Sequence, residues 1–163
     1  MAIAWGWGRA VRSMARGISA GLTLGALLLP ALTAQVAQAA GGNQIVLISN
    51  DRGGLIGQRS KEVRALRDGG QVVELRGKCI SACTMYLALP KACVSRSAVF
   101  GFHGPSWYGR PLSEAEFEHW SQLMANHYRE PLRSWYLKTA RYRINGYYTL
   151  SGAELVRMGY APC

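Results

Sequence analysis

The sequence predicts an α/β domain built on parallel strands, and three observations carry that prediction. Gln44–Ser49 holds a compact apolar run, Ile45-Val46-Leu47-Ile48, bounded by polar residues, as a buried strand does. A second strand, Gln71–Leu75, follows after a single amphipathic helix. Strand, helix and strand at this length fit a parallel pair joined by a right-handed crossover. The third observation is the stretch from Ser81 to about Leu89, small or apolar on every side, which reads as a buried helix.

Taken in order, the chain opens with a segment that has the grammar of a secretory signal. Arg9, Arg12 and Arg16 precede an apolar stretch from Gly17 to about Leu32, and Ala37-Gln38-Ala39 fits a small-residue cleavage site. A retained anchor is the rival reading, but the stretch contains Pro30 and falls short of the ~20 residues a membrane span needs. Residues 1–39 are therefore read as a signal peptide and residues 40–163 as one mature domain. That domain is expected to be periplasmic or secreted, with transient membrane contact through the signal segment.

Within the domain, Asn50-Asp51-Arg52-Gly53-Gly54 is a turn. Leu55 to about Asp68 places Leu55, Ile56, Val63 and Leu66 among charges, and Gly69-Gly70 stops this amphipathic helix. Pro90 ends the buried helix. Cys93–Val94 and Ala98–Phe102 read as strand interrupted by a turn. His103 to Pro111, rich in glycine, proline and aromatics, suits a mobile rim over a site. Ser113 opens a long helix through a capping box with Glu116, which Pro131 breaks or kinks. Leu132–Thr139 resumes as helix, and Tyr147–Leu150 is a short strand. Ser151 and Glu154 form a second capping box, opening a last helix to about Met158.

The chain carries 19 Lys+Arg against 9 Asp+Glu. The basic residues are scattered, which fits a solvated basic surface, with attraction to an anionic envelope surface as the alternative. Nucleic acid is not an expected partner, because no binding motif is present. All four cysteines, Cys79, Cys83, Cys93 and Cys163, lie in the mature part, and an even count in an exported chain points to disulfides. Three pairings exist. Cys79–Cys93 is favoured, because closing that loop would brace the serine helix. A zinc site on Cys79, Cys83 and Cys93 is the alternative, with loose spacing and no adjacent histidine.

Three features suggest acyl-transfer chemistry. Ser81 sits where the buried helix begins. His103 ends a strand-like run downstream. Gly53-Gly54 lies at an earlier strand-to-helix junction, where a backbone amide can stabilise an oxyanion. Each has a plain structural counterpart: a helix N-cap for Ser81, a strand-end hydrogen bond for His103, and an ordinary turn for the glycines. His119 and His127 read as exposed residues of the long helix. Lys138 offers a Ser-Lys dyad without a local motif. Trp107 and Tyr108 fit a substrate groove or simple rim packing.

These segments resemble the Clp protease proteolytic subunit and its crotonase-like superfamily. Asn50-Asp51-Arg52-Gly53-Gly54-Leu55 resembles that family's oxyanion turn. Gly77-Lys78-Cys79-Ile80-Ser81-Ala82 resembles its Gly-x-x-x-Ser nucleophile turn. Ser97 to His103 resembles the strand ending in the catalytic histidine, and Leu150 to Gly159 the closing helix. The match spans roughly Gln44 to Tyr160, and within the superfamily the chain is most similar to exported bacterial members with a Ser-Ala-Cys turn.

The resemblance implies a ClpP/crotonase-like ββα spiral, shortened at its N-terminal end, that stands alone, assembles as a homo-oligomer or is completed by a partner subunit. It implies Ser81 as nucleophile, His103 as general base, and the amides of Gly54 and Ala82, beside Gly53, as the oxyanion hole. One departure stands out. The family has an aspartate near Tyr147, yet no acid occurs between Glu130 and Glu154. Asn145 or a backbone carbonyl would then orient His103. The expected function is an envelope serine hydrolase, a peptidase first, acting on a peptide or acyl substrate without a cofactor. The alternative is an inactive module that binds a peptide or partner. A coenzyme A enzyme ranks below both, since that cofactor is not expected outside the cytoplasm.

Overall fold

The computed structural model describes residues 44–163 as a mixed α/β domain. The expected signal peptide lies outside the described residues. One five-stranded sheet organises the domain. β1 (Ile45–Asp51), β2 (Val72–Ile80) and β4 (Val99–Phe102) are parallel neighbours in that order, and β5 (Tyr148–Ser151) pairs antiparallel with β4. β3 (Ala92–Val94) runs parallel to the first half of β2, whereas β4 pairs with the second half. The strand–helix–strand reading thus holds, with α1 (Ile56–Asp68) as the crossover between β1 and β2.

β2 is longer than expected, running past Leu75 to Ile80. It does so because β1 and β2 bend together. Asn50 takes a left-handed φ of 55° and Gly77 one of 60°, and the Asn50 side-chain oxygen accepts the Lys78 N–H at 3.2 Å. The register shifts between Ser49 and Asp51, after which pairing resumes at Asp51 and Cys79. A bulge of this kind turns both strands while keeping them paired. Because the two strands are parallel, the turn after β1 and the turn after β2 lie at the same end of the sheet.

The segment after β2 is a 3-10 helix, Ser81–Ala88, with Ala82 to Leu87 all buried. Burial was legible, but the helix type was not. A sequence apolar on every side carries no period that separates 3.6 from 3.0 residues per turn. The helix packs against α1, β2 and β4, and its Met85, Tyr86 and Leu87 join Leu75, Phe100 and Phe102 in the core.

α2 (Glu114–Ala125) and α3 (Leu132–Lys138) are separate helices. The first stops well before Pro131, in a turn where the His127 and Tyr128 N–H groups donate to the Met124 and Ala125 carbonyls, and Tyr128 packs edge-on against Phe102 and Tyr136, with ring centroids 5.7 and 5.1 Å away. His127 accordingly lies beyond α2 and is half-buried, not an exposed residue of the helix. A 3-10 turn, Ala140–Tyr142, follows α3. Both capping boxes form, at Ser113–Glu116 and at Ser151–Glu154, where α4 (Gly152–Arg157) begins.

The expected Cys79–Cys93 pair does not form. Cys79 bonds Cys83, and Cys93 bonds Cys163. Strand register explains the correction. Cys93 sits opposite Glu74, five positions back along β2 from Cys79, which at ~3.3 Å per residue is roughly 16 Å and beyond bridging reach. Cys79 and Cys83 have Cα atoms only 5.3 Å apart. The C-terminal tail returns alongside β3: the Val94 N–H donates to the Ala161 carbonyl at 2.8 Å, and the Cys163 N–H to the Val94 carbonyl at 3.2 Å. That return sets the Cα atoms of Cys93 and Cys163 4.8 Å apart.

Candidate functional site

The turn after β1, the start of the Ser81 helix, the loop after β4 and one side of α2 enclose a cavity of about 520 Å³, within the range of small-ligand pockets. Gly54, Ser81 and His103 all line it. Leu55, Ile56, Trp107, Leu112, Trp120 and Met124 make the remaining wall largely apolar, and among the described residues Lys61 is its one charged lining residue.

Ser81 terminates β2 in a left-handed backbone conformation, φ 60°, which a non-glycine residue adopts only when its surroundings over-determine it. A serine on a sharp strand-to-helix turn presents its hydroxyl away from the sheet, the arrangement of a nucleophile elbow. The Ser81 carbonyl accepts the Thr84 hydroxyl at 2.7 Å, and Thr84 in turn bonds the buried Tyr128 hydroxyl at 2.7 Å. The Cys79–Cys83 bond spans the same turn.

Gly53 packs directly against this turn. A Cβ added to it would stand 2.7 Å from Ser81 Cβ and 2.8 Å from the Ile80 carbonyl oxygen, and its φ is 97°. Only glycine fits. The Gly53 N–H is not free for an oxyanion, because it donates to Asp51 Oδ1 at 2.7 Å. The Gly54 N–H makes no hydrogen bond among the described residues and belongs to a residue of the cavity wall. Ala82 is fully buried in the first turn of the 3-10 helix, where an N–H has no intrahelical acceptor. Of the three expected oxyanion residues, only Gly54 lines the cavity; Ala82 does not, although its amide nitrogen lies 3.0 Å from the Cβ position of Gly53, which supplies the close approach.

A charged cluster that the sequence reading did not anticipate braces the glycine turn. The Arg59 guanidinium pairs with Asp51 Oδ2 at 2.7 Å and with Glu62 at 3.2 Å, and donates to the Gly53 carbonyl at 3.2 Å. It also contacts the Tyr86 hydroxyl and lies 4.5 Å from the centre of that ring. The Tyr86 hydroxyl donates to Glu62 at 2.5 Å, and burial, reinforced by that bond, pushes its pKa well up. Asp51 thus bridges the guanidinium and the Gly53 amide. The signal was present in the spacing. Arg59 falls three residues after Ile56 and four before Val63, on the apolar face of α1, where an unpaired charge is costly.

His103 follows β4, and its Nδ1 lies 2.7 Å from the Gly104 carbonyl oxygen. A carbonyl only accepts, so Nδ1 carries the proton and Nε2 is left as the basic nitrogen. Gly104 is held in turn: its N–H donates to the Arg143 carbonyl at 2.8 Å, and a Cβ there would run into the Arg141 carbonyl at 1.7 Å. Asn145 is exposed and does not meet the imidazole. Its side-chain oxygen lies 4.0 Å from the Cβ position of Gly109, in the rim loop. The orienting partner is therefore the backbone carbonyl. Among the described residues no carboxylate bonds His103, and no hydrogen bond joins its ring to Ser81 Oγ.

The rim loop is a small hairpin. Trp107 and Arg110 exchange both backbone hydrogen bonds, at 2.9 and 3.0 Å, around Tyr108 and Gly109, whose φ values are 49° and 82°. Two left-handed residues make the tight turn that suits a two-residue hairpin. Trp107 and Tyr108 stack edge-on at 5.2 Å and are 53% and 84% exposed, with Trp107 on the cavity wall. Lys138 and His119 are exposed and line no part of the cavity.

The two disulfides are compatible with an oxidising, extracytoplasmic compartment. Among the described residues no helix is long and apolar enough to cross a membrane. No protein-family model matches the chain and no curated protein matches it.

Proposed function

We propose that this protein is a serine hydrolase of the cell envelope, a peptidase first, built on a ClpP/crotonase-like spiral. The observation that supports this best is the convergence of Ser81, in its left-handed turn, with His103 and Gly54 on one apolar cavity. The order of parts along the fold supports the spiral: a glycine turn after β1, a serine after β2, a histidine after β4 and a capped helix after β5.

In this reading Ser81 Oγ attacks the acyl carbonyl while His103 Nε2 takes its proton and returns it to the leaving group. Water then attacks the acyl-enzyme by the same route. The N–H groups of Gly54 and Ala82 receive the oxyanion, each worth about 3–4 kcal/mol in such sites. The Gly104 carbonyl fixes the imidazole tautomer, but a neutral dipole stabilises the imidazolium less than a carboxylate would. The Ser81–His103 hydrogen bond forms on substrate binding, as catalytic contacts often tighten only in the complex.

The lack of a carboxylate on His103 favours a second reading, a module that binds an apolar peptide or partner segment without turnover. A fluorophosphonate probe separates the two, since only an activated serine reacts with it. Labelling of the oxidised protein that disappears in both Ser81→Ala and His103→Ala would support the hydrolase. A folded wild type that stays unlabelled would sink it and leave the binding module.

A further inference from the structure

Cys79 and Cys83 stand two residues before and two residues after Ser81, and they are bonded to each other. The bond closes a five-residue loop, Cys79-Ile80-Ser81-Ala82-Cys83, with the candidate nucleophile at its centre. Both cysteines are buried, at 1% and 0% exposure, whereas Ser81 reaches the cavity. The loop contains the one residue of the Ser81 helix with a positive φ. An L-residue leaves that conformation unless its neighbours hold it.

We infer that the Cys79–Cys83 disulfide is a positioning device for Ser81, holding the nucleophile turn in its left-handed form and keeping the Ala82 amide aimed beside Gly53. The inference rests on the reading of Ser81 as nucleophile. The other contacts on the turn do not replace the clamp. Thr84 holds the Ser81 carbonyl from one side, and Gly53 limits movement toward the β1 turn, but neither restrains the chain on both sides of the serine. The covalent loop does. With both sulfurs buried, it acts as a constitutive part of the site.

The second disulfide provides the internal control. Cys93 and Cys163 join β3 to the C-terminal tail, and neither lines the cavity. A general stabilising role would make the two bonds equivalent for reactivity. A positioning role would make only Cys79–Cys83 matter.

The test compares oxidised protein with the double variants Cys79→Ala/Cys83→Ala and Cys93→Ala/Cys163→Ala. Fluorophosphonate labelling is resolved into probe affinity and maximal rate. The first variant is expected to lose roughly 10- to 100-fold in maximal rate, the scale of a small misplacement of a reacting group, with probe affinity kept. The second is expected to label like the wild type. Equal maximal rates in all three would overturn the inference.

Should Cys79→Ala/Cys83→Ala fail to fold, partly reduced and alkylated wild type is sorted by peptide mass. The adduct should build up roughly 10- to 100-fold more slowly on molecules with Cys79–Cys83 reduced than on those with it intact, and equal labelling rates in the two populations would overturn the clamp. If the wild type itself does not label, the hydrolase reading has failed, and the clamp is decided by the crystal structure of a folded variant or of the reduced protein. Ser81 leaving the left-handed region supports it, and Ser81 keeping a positive φ overturns it.

Discussion

On the serine side of the cavity, a disulfide, a hydroxyl pair and a close-packed glycine hold Ser81, and the Arg59 cluster holds the glycine turn beside it. On the histidine side, the ring of His103 is held by one hydrogen bond to the next residue, and the chain then runs into an exposed aromatic hairpin. The glycine and serine turns are thus braced by several contacts, whereas the imidazole makes one hydrogen bond and the rim beyond it is exposed. Preorganised donors cost no rearrangement at the moment of reaction, and a movable wall can close over a substrate. The missing Ser81–His103 hydrogen bond falls at the boundary between the two walls.

The largest test breaks the rigid wall. Arg59→Ala strips the partner from Asp51, Glu62 and the Gly53 carbonyl, in a cluster where the Arg59 side chain is 11% exposed. Removing one member of a buried pair typically costs about 3–5 kcal/mol, and with Asp51 20% and Glu62 51% exposed the loss in denaturant unfolding should reach about 2–3 kcal/mol, with labelling falling alongside it. An Arg59→Ala protein as stable as wild type would mean the cluster is ornamental.

A second test leaves both walls intact and weakens the scaffold. Cys93→Ala/Cys163→Ala opens a bond between residues 70 positions apart, and losing such a long closure is expected to cost about 3–4 kcal/mol. The loss should appear in the melting temperature and leave the labelling rate unchanged at temperatures where the protein stays folded.

A smaller effect comes with acid. Burial, aided by Arg64 and Arg67, holds His127 below its ordinary value against the opposing bond to the Leu123 carbonyl. The unfolded chain therefore takes up this proton first. Stability should be fully present above about pH 6.5 and decline as pH falls from there toward the lower folded value. His127→Gln should flatten that part of the pH–stability curve. A curve unchanged by the substitution would place the acid sensitivity elsewhere.

The smallest stability change belongs to the soft wall. Tyr108→Ala and Trp107→Ala touch the exposed hairpin and should move unfolding by no more than about 0.5 kcal/mol. In the hydrolase reading their effect should appear as weaker fluorophosphonate affinity with the maximal labelling rate retained. A large loss of stability in either would show that the hairpin is structural, and the contrast between the walls would fall.

Much of this organisation was legible. Ile45 to Ile48 and the Gly69-Gly70 stop marked β1 and α1, and the Ser113–Glu116 and Ser151–Glu154 pairs marked two helix starts that form as capping boxes. For the candidate site, the order Gly54, Ser81, His103 could be read from turn and strand signals, and all three reach one cavity. Asn145 was the nearest group in sequence that could orient the imidazole in place of the missing acid, yet the strand pairing of β5 with β4 leaves it at the rim. Arg59 was overlooked because a charge on an amphipathic helix is usually solvated, and its partners, Asp51 and Tyr86, come from other elements.

By itself the sequence determined the elements, their order and the residue types available for chemistry, because periodicity, capping and turn preferences act over a few neighbouring residues. Tertiary structure decided which cysteines bond, which amides remain free for an oxyanion, and which acceptor orients His103. Those outcomes depend on register: the shared bend at Asn50 and Gly77, the offset of Cys93 to Glu74, and the return of the C-terminal tail along β3. Register is set by packing between distant segments, and a difference of a few positions along one strand moves a side chain beyond bonding reach.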